Sequence, residues 1–462
     1  MEASFCGTGT EGSPYLISTE EELRQLAQDV ENGSTYVNEC FQLENDIELT
    51  EEWIPIGTAQ AAFRGSFDGN GHTITNLSGT GEHLGLFAYV GGGAQITNVN
   101  VADVEFKKGP FLAGIAAEVD TSEGDVLIQN CHVLSGSIKG IDDEDTVVKC
   151  LAGIVGNSSG DNKLRITDCS NSAQILAGSD SYTSGGIAGN VVDATITRCA
   201  NYGYVAGESD SGGICGNAIH SSFIACVNYA KVTTYYGAGI SDGNNNIFSN
   251  CLNVGMINND SDGRGYPIGK LSAGNTYENC YYLKGCFRTY KFPQDSTQTG
   301  KEVTEEQLAS GEAAYGLGQY FGQTLGEDTF PVFRTESNQV YKVSVCGAIE
   351  KTFFVNMNQT VSLPSDPEVS YYLDDDLFDA DTPITEDTEL VAVRADHVLV
   401  KTEAVAPTNT TTGNNEYYTC SICGKVFKDA QGTIETTVEA EILEKLASVT
   451  SGKSGNLNWA LT

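Results

Sequence analysis

The chain has 462 residues, 40% of them apolar, with 62 acidic against 25 basic side chains and a net charge of −37. That length exceeds one ordinary core and that hydrophobicity excludes a disordered chain, while 52 glycines against 10 prolines exclude collagen and imply many tight turns. The negative field excludes nucleic acid and anionic membranes as partners, because no Lys/Arg cluster offsets it; it disfavours acidic substrates such as pectin and slightly favours bound calcium.

The opening, MEASFCGTGTEGSPYLI, lacks the basic and apolar regions of a secretory leader, so either a leader has been removed or the chain is a segment of a longer protein. Nowhere do 18 consecutive apolar residues offer a membrane span, and no membrane insertion is expected. Residues 14–33 hold the one good helix. Thr19 and Glu22 form a capping box, Leu23, Leu26, Ala27 and Val30 make an i, i+3, i+4, i+7 stripe, and Gly33 stops it. Such a helix can cover the open end of a solenoid, as terminal caps must.

From residue 83 the chain repeats: HLGLFAYV, FLAGIAAEV, CLAGIVGNS, SGGIAGNV, SGGICGNA, YGAGISDG and YPIGKLSA. Each opening leads through a polar turn to a second apolar stretch: ITNVNV, IQNCHV, ITDCSN, ITRCAN, FIACVN, FSNCLN and YENCYY. The cysteines of the last six, Cys131, Cys169, Cys199, Cys226, Cys251 and Cys280, follow one another at 38, 30, 27, 25 and 29 residues. Short β-type runs with Gly/Asn turns at such a period mean a β-solenoid, with IDDEDTVVK as a loop insertion in the longest gap. The fold class is all-β, a right-handed parallel β-helix with an N-terminal capping helix, followed by small β-rich modules. Parallel rungs are expected from about residue 40 to 285, with helix near 19–32 and 304–310. The cysteine column should point inward, buried and reduced, because stacked Cβ vectors run parallel and do not converge on a bridge. Asn171, Asn201, Asn228 and Asn253, two residues after their cysteines, share that face and can form an amide ladder along the axis.

The N-terminal series SPYLISTEEELRQLAQDV, FQLENDIEL, WIPIG, FRGSFDGNGHTITNL and GLFAYV resembles the entry region of GLUG-repeat bacterial surface proteins. The G-G-I-x-G openings followed by Asn-Cys or Asp-Cys resemble the GLUG repeat itself, over roughly residues 5–290. The resemblance implies a large surface protein of gut-type bacteria. Such repeats also stand beside some immunoglobulin A peptidases, but the H-E-x-x-H zinc motif of that activity is absent from this sequence. The segment VTEEQLASGEAAYGLGQYFGQTLGEDTFPVF resembles the one that closes these solenoids, with Thr304 and Gln307 as a second capping box. YKVSVCGAIEKTFFVNMNQTVSLPSDP…DTPITEDTELVAV alternates apolar and polar residues and resembles a shortened internalin-type B repeat, whose usual centre is replaced by YYLDDDLFD. Residues 396–437 resemble a small module in which a His, a Cys and a Cys-x-x-Cys recur; His397, Cys420 and Cys423 remain, and Asn409 stands at the family's remaining cysteine position. Cys-x-x-Cys on a Gly-Lys turn has the geometry of a zinc knuckle one donor short of four, with a disulfide or a free thiol pair as the alternatives. The end, VTSGKSGNLNWALT, resembles the opening strand of a further module. The expected divisions are therefore 1–290 solenoid, 291–335 closing segment, 336–395 B-repeat-like module, 396–440 His/Cys-x-x-Cys module and 441–462 the start of another, within a larger multidomain protein.

Catalytic signatures are not recognised. Asp68, Asp103, Asp168, Asp193 and Asp242 could serve a glycosidase, which needs paired carboxylates, but they do not recur at one rung position. His72, His83, His132 and His220 are scattered, and no G-x-S-x-G or Ser-His-Asp pattern accompanies them. Tyrosines are denser: Tyr202, Tyr204, Tyr229, Tyr235, Tyr236, Tyr281 and Tyr282 crowd the last four rungs, and Tyr202 and Tyr229 hold matching places. Exposed rings on a flat sheet can stack against sugars, while tyrosine also simply suits strands. The expected function is a non-enzymatic, extracellular adhesin or ligand-display protein, secreted or attached to the bacterial surface. Its expected partner is a glycan or a host or bacterial surface protein, through Tyr202, Tyr204, Tyr229, Tyr235 and Tyr236. No cofactor is expected beyond zinc at His397, Cys420 and Cys423. A polysaccharide-degrading β-helix hydrolase or lyase, and a ligand-free spacer, are the alternatives.

Overall fold

A computed structural model describes residues 5–107, 109–140, 150–177, 183–207, 209–271, 274–287, 299–394, 397–447 and 451–460; the insertion at 141–149 lies outside them. Contacts divide the chain into two units, Met1–Val340 and Tyr341–Thr462. The first contains both the expected solenoid and its closing segment.

That first unit is the parallel β-helix. One coil shows the plan: Ala188–Val192, Ala194–Thr197, Ala200–Asn201 and Val205–Ala206 run in succession, each pairing in parallel with its counterparts one coil before and after. Two of the resulting stacks hold ten strands each. Parallel stacking begins earlier and ends later than the sequence suggests. Tyr15–Ile17 pairs with Cys40–Leu43, and Lys301–Val303 pairs with Tyr281–Leu283. Both additions are three-residue strands, too short for a periodic signal to stand out.

Helix α1, Glu20–Glu31, has the expected capping box: the Glu22 N–H donates to Thr19 Oγ1 at 3.2 Å, and the Thr19 N–H donates to Glu22 Oε2 at 3.2 Å. Its stripe of Leu23, Leu26, Ala27 and Val30 is buried in the same core as Ile17, Phe41 and Phe63, so the helix covers the first coil. Helix α2, Glu305–Ala309, is capped by Thr304 as expected, and a further short helix α3, Glu312–Gly316, follows it.

The two inward columns are one device. Asn171 Nδ2 donates to Asn201 Oδ1 at 3.0 Å, Asn201 to Asn228 at 3.0 Å and Asn228 to Asn253 at 2.9 Å, all four fully buried. Each amide also donates to the backbone carbonyl two residues on, at Ala173, Gly203, Ala230 and Gly255. A glycine from the G-G-I or A-G-I openings lies against every one: a Cβ at Gly153, Gly186, Gly213 or Gly239 would stand 2.2–2.5 Å from the amide carbon. The repeat glycines therefore make room for the ladder.

The residue before each repeat cysteine turns the chain between two stacks with positive φ: Asn130 at 52°, Asp168 at 56°, Arg198 at 52°, Ala225 at 53°, Asn250 at 56° and Asn279 at 48°. Asn and Asp tolerate that left-handed conformation best, which explains the Asn-Cys and Asp-Cys pairs as a corner followed by a core residue. The six column cysteines are buried and free. Five of their thiols donate to a carbonyl one coil earlier, such as Cys226 Sγ to Ile196 O at 3.3 Å. Burial pushes the thiols of Cys131, Cys169, Cys199 and Cys251 up. A thiol reagent should thus label the exposed Cys6 and Cys346 at once, and the six column cysteines only after denaturant unfolds the coils. Peptide mapping that finds Cys199 or Cys226 labelled in the native protein would contradict this packing.

The second unit holds a five-stranded sheet in the order Lys351–Asn356, Val340–Gly347, Thr388–Arg394, Val369–Leu373, Asp376–Leu377. Its core is Val343, Val345, Val355, Val361, Tyr371, Ile384 and Leu390 with their neighbours. After it, Leu399–Thr402, Tyr417–Cys420, Val426–Phe427 and Glu435–Thr436 form an antiparallel four-stranded sheet.

Candidate functional site

Three of the five candidate carboxylates are corner residues. Asp103, Asp168 and Asp193 sit at φ of 51°, 56° and 51°, where a short acidic side chain is favoured for its backbone and not for chemistry. Asp68 closes a turn, accepting from the Asn70 N–H at 2.8 Å and from Asn98 Nδ2 at 2.9 Å. Asp242 differs. It is 3% exposed, lies 3.5 Å from Lys270 Nζ and accepts from the Gly243 N–H at 2.7 Å. Burial pushes its carboxyl up, against the pull of Lys270, and burial with the Asp242 charge does the same to Asp210. Asp210 was not among the sequence candidates because it sits in an unremarkable polar turn before SGGICG.

The histidines have separate partners: His72 meets Asp46 at 3.2 Å, His132 meets Ser170 at 2.8 Å and His220 meets Asn245 at 3.3 Å. His83 stacks on Phe111 and lies 2.9 Å from the Tyr89 hydroxyl and 3.8 Å from Glu118. Glu118 in turn ends a second amide series, accepting from Asn157 at 2.9 Å, which accepts from Asn190 at 2.8 Å, which accepts from Asn217 at 2.8 Å. Its signal was present in the sequence as the Asn of GIVGN, GIAGN and GICGN.

The expected tyrosine flank needs correction. Tyr202 and Tyr229 do stack, with ring centres 5.0 Å apart and planes 7° apart, but only Tyr202 is exposed. The Tyr229 hydroxyl donates to the Pro331 carbonyl at 2.7 Å, and its ring packs with Leu317, Phe321 and Phe333. The reason is the path of the closing segment. It does not simply end the solenoid; it covers an outward apolar strip formed by Ala200, Ala225, Val227 and Leu252. Burial beneath it pushes the Tyr229 hydroxyl up. Tyr204 is half-buried under Lys231, whose Nζ lies 5.8 Å from the ring centre, and Tyr282 is buried in the core. Tyr235 and Tyr236 remain as an exposed pair, edge to face at 4.6 Å, on the strand Val232–Ala238.

In the second unit, His397, Cys420 and Cys423 come together as the sequence suggests, with their donor atoms all within 4.8 Å of one another. Cys420 ends its strand opposite Leu399, which brings the chain just after His397 alongside. The turn Cys420–Lys425 is tight: the Gly424 N–H donates to Cys420 O at 2.9 Å, the Cys420 N–H to Lys425 O at 2.8 Å, and Gly424 takes φ of 76°. The His397 ring rests on Phe427 at 4.4 Å, its Nδ1 being 3.8 Å from Cys423 Sγ. The Cys423 N–H and the His397 ring draw the Cys420 thiol down, while burial and nearby Glu368 push Cys423 up. Asn409 is exposed. The residues fit a soft divalent metal: two thiols on one turn and an imidazole converging on one point.

No family model matches the chain. It is 32% identical over 122 residues to a protein of Evansella cellulosilytica provisionally named as a Gly-rich membrane protein, covering 23% of this chain and 13% of that protein. It is 31% identical over 140 residues to halomucin of Haloquadratum walsbyi, covering 27% of this chain and 2% of halomucin. The chain thus spans a small part of the length of either relative. A crystal structure from Bacteroides ovatus, provisionally described as an immunoglobulin A1 protease, superposes with a TM-score of 0.49 at 18% identity, covering 71% of this chain and 94% of that one. Among the described residues no helix is long and apolar enough to cross a membrane.

Proposed function

We propose that the chain is a non-enzymatic display or adhesin segment of a secreted or surface-attached bacterial protein, with a glycan or a surface protein as its ligand. The observation that carries this reading is the exposed Tyr235–Tyr236 pair on a rigid stack of parallel coils. Two rings at right angles offer both a stacking face and an edge, with hydroxyls for polar groups of a sugar. The fixed coil spacing lets a polymeric ligand meet several weak contacts at once, so modest affinities multiply. The GLUG-type order of motifs supports the reading, and the names of the two relatives with local identity accord with a surface location.

Immobilised glycans probed with the purified chain test it. Replacing Tyr235 and Tyr236 together by Ala should weaken binding at least about tenfold, with the solenoid's circular dichroism unchanged. Tyr202→Ala should weaken it less, because that ring is already engaged on one face by Tyr229. Binding that survives the double replacement would remove the site. A chain that binds nothing on glycan or surface-protein arrays would favour a spacer, and reducing sugar released from a polysaccharide panel would favour an enzyme.

A further inference from the structure

The set of His397, Cys420 and Cys423 is one donor short, and the structure supplies a fourth from a different module. Glu368 precedes the strand Val369–Leu373 of the five-stranded sheet, 29 residues before His397. It is 3% exposed, and its Oε2 accepts from Arg394 Nη1 at 2.6 Å. Its Oε1 is buried without a hydrogen-bond partner and lies 3.7 Å from His397 Nδ1. An unpartnered buried carboxylate oxygen is costly unless something else satisfies it. We infer that Glu368 Oε1, His397 Nδ1, Cys420 Sγ and Cys423 Sγ form a four-coordinate zinc site that ties the five-stranded sheet to the Cys-x-x-Cys hairpins.

The distances suit it. Tetrahedral zinc with bonds of about 2.0–2.3 Å separates neighbouring ligand atoms by roughly 3.3–3.8 Å. The His397–Cys423 and His397–Glu368 pairs stand at 3.8 Å and 3.7 Å. The charges suit it too. Two thiolates, a carboxylate and a divalent ion leave one negative charge, and Lys425 Nζ lies 3.6 Å from Glu368 Oε1 to balance it. Arg394 orients the carboxylate from behind, as the outer partners of metal ligands do. Need is the last argument. Among the described residues of 397–447 the buried apolar side chains are Cys420, Val426 and Phe427, too few to hold so small a sheet without a staple. The sequence hid this ligand because the missing cysteine position, Asn409, directed attention within the module and not to the one before it.

The test uses the full chain, reduced, stripped of metal and titrated with zinc or cobalt. About one zinc per chain should bind, cobalt should give the intense visible bands of tetrahedral coordination, and Cys420→Ser should abolish both. Glu368→Gln should weaken zinc at least about tenfold and alter the cobalt spectrum. Glu368→Cys should retain zinc and raise the thiolate-to-cobalt charge-transfer band by about half, three thiolates replacing two. This second variant separates loss of a ligand from loss of the fold. If Glu368→Gln lowers thermal stability yet leaves zinc affinity and the cobalt spectrum unchanged, the carboxylate is only an ion-pair partner and the inference is wrong. A reduced wild-type chain that takes up no zinc, with Cys420 and Cys423 readily forming a disulfide, overturns it equally.

Discussion

Replacing Asn228 by Leu should lower the stability of the solenoid by about 3–6 kcal/mol, a large fraction of what a folded domain possesses. Asn228 sits inside the ladder, so the change strikes neighbours on both sides. Its Oδ1 accepts from Asn201 Nδ2 at 3.0 Å and from the Ala230 N–H at 3.3 Å; its Nδ2 donates to Ala230 O at 2.9 Å and to Asn253 Oδ1 at 2.9 Å. Leucine keeps the volume and removes all four bonds, leaving buried donors and acceptors that water cannot reach. Each orphan costs about 1–3 kcal/mol, and bonds in a chain reinforce one another in a low-dielectric core. Asn171→Val is the control. Its counterpart one coil earlier is Val133, so the ladder begins there and only one amide neighbour is lost. Urea titration should rank Asn228→Leu well below Asn171→Val. Equal losses would mean that the amides act as isolated turn residues and not as a ladder.

How much of this was legible in the sequence depends on how far apart the cooperating residues lie. Thr19 and Glu22 are three residues apart, and the helix they cap is found where the pattern puts it. The Cys and Asn columns were legible because a stacked fold repeats each contact every coil, turning a long-range packing rule into a periodic one. The repeat glycines were visible, but their purpose was not. Gly213 meets Asn228 across fifteen residues of chain, and only coordinates show the side chain entering the space where a Cβ would stand. The Asn-Cys pairs were read as a motif, whereas the left-handed corner at Asn130, Arg198 or Ala225 is a backbone property that the residue type merely accommodates. Tyr229 and Glu368 were beyond reach for a common reason. Their partners, Pro331 and His397, lie 102 and 29 residues away in segments with no periodicity, so nothing in the sequence relates the two.

The second large effect is expected at Phe248, and it tests how the coils share their stability. Phe248 is fully buried between Phe223, 5.1 Å away at 8°, and Tyr277, 5.0 Å away at 7°. These three rings continue a column that is Ile166 and Ile196 in earlier coils, through one unbroken register. Phe248→Ala should cost about 3–5 kcal/mol, the sum of lost burial and an unfilled gap, with two stacking contacts included. In an ideal solenoid each coil touches only its neighbours, so the damage would free the strands from Ile247 onward and leave the rest protected. This protein has an added restraint. Residues of the closing segment, among them Leu308, Ala313, Leu317 and Phe321, pack on Ala200, Ala225, Val227 and Leu252 together, clasping successive coils from outside. Asn250 Nδ2 adds a bond to Leu317 O at 2.7 Å, and Tyr229 its bond to Pro331. The clasp makes those coils open as one. Hydrogen exchange of Phe248→Ala should therefore show protection lost together from about residue 200 to 333, with the coils between 84 and 170 unchanged. Loss confined to the strands after Ile247 would show that the closing segment only lies on the surface, and loss spread evenly over the whole unit would show that the coils are not independent at all.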